Sequence, residues 1–118
     1  MAILTWNFIF DCKTAEKAEK QFQKVINISG LPFETIAVNK DTSGFQVKAT
    51  TAIAETEHSK IIVEALRQVH KVALRWYVGY LEYNEGKVTF EGTASNSETS
   101  HPFCVPGLHF VGFGLNLE

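Results

Sequence analysis

The chain has 118 residues, 45% of them hydrophobic and 20% charged, and a formal net charge of −2. This is the composition of one globular domain, spanning 1–118, which at this size hides roughly two-thirds of the surface of its unfolded chain without disulfides or metal. Its nine Phe exclude disorder. The longest apolar runs fall far short of the about 20 residues that cross a bilayer, and the charge lacks the basicity of a nucleic-acid binder.

Residues 3–11 alternate as a strand, with Leu4, Trp6, Phe8 and Phe10 on one face and Ile3, Thr5, Asn7 and Ile9 on the other. The segment is not expected to act as a leader, since it has no basic stretch, meets Asp11 at once and shows no cleavage pattern of small residues. The chain is therefore expected to be cytoplasmic, with Cys12 and Cys104 as free thiols. Thr14 is placed to cap a helix whose apolar side is Ala15, Ala18, Phe22, Val25 and Ile26. Gly30 and Pro32 end it.

Two strands follow over 33–40 and 45–53, joined at Asp41-Thr42-Ser43-Gly44, a turn sequence. Thr56 is expected to cap a second helix, buried through Ile62, Ala65, Leu66 and Val69. Residues 73–83 and 87–93 read as the fourth and fifth strands around Asn84-Glu85-Gly86. Residues 94–107 are irregular, and 108–117 alternate as a sixth strand. The order β-α-β-β-α-β, then β-β, predicts an α+β fold. It would be a ferredoxin-like (split βαβ) antiparallel sheet, both helices on one face, with a C-terminal β-hairpin extension. Trp6, Phe8, Phe22, Leu66 and Trp76 would share its core.

The long loop carries His101 and Cys104, with His109 just beyond. A cysteine nucleophile needs a neighbouring base and a low pKa. A lone Cys beside Phe103 and Val105 is more often a small buried hydrophobe, so no catalytic residue is assigned. The same side chains are chemically suitable zinc ligands but match no usual zinc spacing, so neither metal nor cofactor is expected. His58 and His70 lie at opposite ends of the second helix and form no ligand pair. Glu82 and Glu91 are expected to face each other across the hairpin, as a solvated edge. The sheet face that would carry Tyr77 and Lys48 lacks the paired aromatics of a nucleic-acid reader, so no nucleic acid is expected.

Charge is uneven. Residues 77–118 hold five Glu and one Lys, set among Tyr77, Tyr80, Tyr83, Phe110 and Phe113. A tyrosine-rich surface bordered by acid suits capture of a basic protein. Gly112 and Gly114 share one face of the last strand, where they leave room for aromatic side chains of a neighbouring element or a partner. In size, acidic C-terminal third, Tyr/Phe content and want of a catalytic signature, the chain resembles the small cytoplasmic immunity proteins that bacteria pair with secreted toxins, many of them nucleases. That resemblance implies a non-enzymatic inhibitor that covers a basic toxin's active site. On this reading the partner-binding residues are Glu82, Tyr83, Glu85, Glu91 and Glu98. The alternative is a ferredoxin-like homodimer with small-molecule binding or enzymatic activity. It would bury Ile3, Ile9, Tyr77, Leu81 and Tyr83 between subunits and line a pocket with His101 or Cys104. A structural accessory protein of a phage or mobile element is a third reading. Monomer and homodimer both stand, and no membrane association is expected.

Overall fold

The computed structural model describes residues 2–73, 75–84, 86–96, 103 and 105–117, and within the strand 77–84 the side chains of 77–79 and 82. Its elements are β1 (Ala2–Phe10), α1 (Ala15–Ser29), β2 (Glu34–Asp41), β3 (Gly44–Ile53), α2 (His58–Val72), β4 (Tyr77–Asn84), β5 (Lys87–Ser95) and β6 (Leu108–Leu117). The fold is α+β, with one six-stranded sheet in the order β2-β3-β1-β6-β5-β4. Every pair in it is antiparallel.

Local chemistry sets the helix ends. The Thr14 hydroxyl accepts from the Lys17 N–H at 3.1 Å, and so satisfies one of the four N–H groups that a helix start leaves unpaired. Gly30 ends α1 in the left-handed conformation, φ 68°, and donates its N–H to the Ile26 carbonyl. The second helix departs from expectation by one residue. Its N-cap is Glu57, which makes no side-chain cap bond. The Glu57 carboxylate lies instead 3.7 Å from the Lys60 ammonium. Thr56 precedes the cap, and negative charge at the helix start supplies the favourable term.

Alternation in β1 buries Ala2, Leu4, Trp6, Phe8 and Phe10, while Ile3 and Thr5 are exposed. The Phe8 ring centroid lies 5.0 Å from that of Phe22 on α1 and 5.5 Å from that of Phe33. Trp6 lies edge-on to Phe33 and Trp76. Its indole N–H donates to Thr51 Oγ1 at 3.0 Å, and the Thr51 hydroxyl donates to Gln68 Oε1 on α2 at 2.6 Å. A buried Trp N–H and hydroxyl without partners would each cost about 1–3 kcal/mol, so this chain of bonds is what permits Thr51 and Gln68 inside. Of the expected core, Trp6, Phe8 and Phe22 are buried. Leu66 and Trp76 are half-buried and pack against it.

Two expectations about the chain after α2 are corrected. The strand read as 73–83 begins only at Tyr77. Trp76 precedes it and donates its indole N–H to the carbonyls of Val69 and Ala73. Strands lie about 4.8 Å apart, and β4 lies three places beyond β1, so the chain must travel along the sheet before it can pair. In the split βαβ plan the strand after the second helix returns beside the first. Here β6 takes that place and β4 lies at the edge. The burial patterns give the reason. β6 buries Leu108, Val111, Phe113, Leu115 and Leu117 and suits a central position. In contrast, β4 has Tyr77 and Val78 exposed and a register shift between Val78 and Tyr80, features of an edge strand. β5 and β6 are antiparallel neighbours, but β6 lies between β1 and β5 within the sheet and is not part of a terminal extension.

Candidate functional site

Residues paired across antiparallel strands share a face, so the register generates the site. One row crosses the sheet as Tyr77, Thr93, Gly112 and Asn7. The next row is Tyr80, Glu91, Gly114 and Thr5. Each row meets β6 at a glycine. With no side chain at either position, the sheet dips, and a groove of about 460 Å³ runs over β6. That volume lies within the range of small-ligand sites.

The walls are aromatic. A β-carbon at Gly112 would lie 3.4 Å from the Phe110 ring, which therefore folds over that glycine. A β-carbon at Gly79 would lie 3.3 Å from the Tyr77 ring, so Tyr77 rests against the bulged part of β4. Tyr77 is 74% exposed and offers a ring face to solvent. The polar lining is partly committed: Thr5 Oγ1 donates to the Gly114 carbonyl at 3.0 Å, Asn7 Oδ1 accepts from Gln46, and Asn116 Oδ1 accepts from Thr89. Glu91 is exposed and is the one charged side chain among the described residues that line the groove.

Of the residues singled out in the sequence, Glu91 lines this groove and Glu82 stands exposed on the same face one row away, opposite Thr89. The two carboxylates are thus not directly opposed, since Glu91 pairs with Tyr80; they are diagonal neighbours. Tyr83 pairs with Val88 in the backbone register. Glu85 and Glu98 lie outside the described residues, as do His101 and Cys104. His109 Nε2 lies 3.3 Å from the Ser43 hydroxyl, and the Cys12 thiol lies 3.5 Å from the Thr14 carbonyl. Among the described residues, no three His, Cys, Asp or Glu side chains converge as a metal site would require. No helix among them is long and apolar enough to cross a membrane.

Sequence reasoning missed Asn7, Thr93 and Asn116 as parts of one site. Its one usable signal was the pair Gly112 and Gly114 on one strand face. Comparison of the chain with protein-family models, with curated proteins and with solved structures finds no match.

Proposed function

We propose that the chain is a non-enzymatic protein-binding module that captures a basic partner on the sheet face formed by β4, β5 and β6. The resemblance to immunity proteins makes that partner a toxin, possessed of a basic active site that this face covers. The observation that carries the reading is the groove itself: aromatic walls, one exposed ring at Tyr77, and Glu91 as its charge. Glu82 adds a second carboxylate on the same face; Tyr83, Glu85 and Glu98 are proposed as partner-binding residues on the sequence reading alone. No Lys or Arg lines the groove among the described residues, which speaks against a nucleic-acid ligand.

The fold reading supports this use of the face. We take both helices to lie against the Trp6 and Phe8 side, as in the split βαβ plan, which leaves the groove side open. The Phe8–Phe22 ring contact and the Thr51–Gln68 hydrogen bond favour it. The free Cys12 thiol favours a cytoplasmic setting.

The test is recovery of a partner from the source organism, followed by association kinetics at two salt concentrations. Charge reversal of Glu82, Glu85 and Glu91 to Lys is expected to slow association by tenfold or more, on the order of known steering effects, and added salt is expected to weaken steering in the wild type. An acidic partner, or association indifferent to both salt and the reversal, overturns the reading. The homodimer remains the second reading because Ile3, 47% exposed, shares this face with Tyr77. A concentration-dependent dimer in sedimentation, with no protein partner recovered, decides for it.

A further inference from the structure

We infer that the groove over Gly112 and Gly114 is an arginine socket: it takes one guanidinium side chain of the basic partner. This rests on the proposed function and names the group that the face would recognise.

Three features select that group. The first is charge: Glu91 is the groove's one charged side chain among the described residues, so the site attracts a cation. The second is shape. Phe110, folded over Gly112, and Tyr77 line the groove beside the bare backbone of β6 at Gly114, so the site offers aromatic surface on which a flat group can rest. A guanidinium is planar and weakly hydrated. It stacks on aromatic faces and pairs with a carboxylate through two parallel N–H bonds. An ammonium is compact and strongly hydrated, and gains little from flat walls. The third is register. Tyr77 pairs with Thr93, two residues from Glu91 on the same face, which makes Tyr77 and Glu91 diagonal neighbours. Such neighbours lie about 7–8 Å apart, a span that one guanidinium can bridge by contacting the ring and the carboxylate together. The 460 Å³ exceeds a single side chain, so the backbone that carries the arginine has room as well.

The probe is N-acetyl-arginine amide, titrated into the full chain and followed by the backbone amide signals of Thr93, Gly112 and Gly114. Saturable shifts at those amides are expected. N-acetyl-lysine amide is expected to bind at least several-fold more weakly, and the neutral N-acetyl-citrulline amide to give no saturation. Glu91→Gln, a conservative change at an exposed position, is expected to weaken arginine binding at least tenfold while leaving distant amides in place. Tyr77→Ala is expected to remove the preference for arginine over lysine. Absence of saturation, equal binding of lysine, or binding unchanged in Glu91→Gln overturns the inference. So does a self-associated chain in which a second copy already fills the groove. If partner association still depends on Glu91 while the arginine probe fails, the socket is wrong and the protein-binding reading stands. If the probe binds and no basic partner is captured, that reading fails alone.

Discussion

The ring of Phe113 fills the place where a β-carbon on Gly92 would sit. The two residues are paired across β5 and β6, and such a carbon would lie 2.7 Å from the ring and 3.1 Å from the Tyr77 carbonyl. Phe113 cannot swing away freely, because Trp6, Trp76 and Phe90 surround it. Gly92→Ala is therefore expected to destabilise the fold by about 1–3 kcal/mol through overpacking. Urea unfolding should show a lower midpoint with an unchanged slope.

The bonds from Trp6 through Thr51 to Gln68 predict coupling. Thr51→Val strands the indole N–H and the Gln68 oxygen in the interior and is expected to cost about 1–3 kcal/mol. Gln68→Leu frees the Thr51 hydroxyl from its acceptor. Since both changes break the same bond, the double variant is expected to lose less than the sum of the singles. A double-mutant cycle from denaturant midpoints measures the difference.

One ion pair predicts a pH dependence. The Arg67 guanidinium, hydrogen-bonded to Glu64, holds that carboxyl below its ordinary value. A carboxyl with a lowered folded-state pKa stabilises the fold above its unfolded pKa, about 4.3, and loses that contribution as pH falls through the folded value. The pair is at the surface, so solvent screening keeps the gain small. Glu64→Gln should melt lower than wild type at neutral pH, and the gap should close in acid below the carboxylate range.

Neither cysteine is given a role in binding. Cys12→Ser keeps a donor for the Thr14 carbonyl. The double variant Cys12→Ser/Cys104→Ser is expected to fold and to capture the partner as wild type does. Loss of capture in a folded double variant, or stoichiometric zinc in the purified protein, contradicts that.

Alternation made β1, β3 and β6 legible, because a half-buried strand writes its two faces into successive residues. The caps of α1 were legible too, since Thr14 and Gly30 act through their own chemistry. Strand order was not. Nothing local in Val111, Phe113 and Leu115 says that their strand pairs with β1, and the choice between β4 and β6 is made by competition for the centre of the sheet. Trp76 misled for a related reason: its spacing fits a strand, but its indole caps carbonyls at the end of α2. Gly112 and Gly114 signalled space on β6. What borders that space depends on register with β1 and β5, which one segment cannot reveal.

The central place of β6 also governs how the molecule can fold. The β2-β3-β1 half is made from residues up to 53, and β4 with β5 can zip locally across the short connection between Asn84 and Lys87. The two halves share no strand pairing until residues 108–117 enter between them and set Leu115 against Leu4. That contact closes nearly the whole chain, a feature that slows folding by comparison with local pairings. Until it forms, β1 presents an unpaired edge of backbone donors and acceptors, open to strands of other chains. A chain truncated before residue 108 is thus expected to aggregate more readily than one that includes β6.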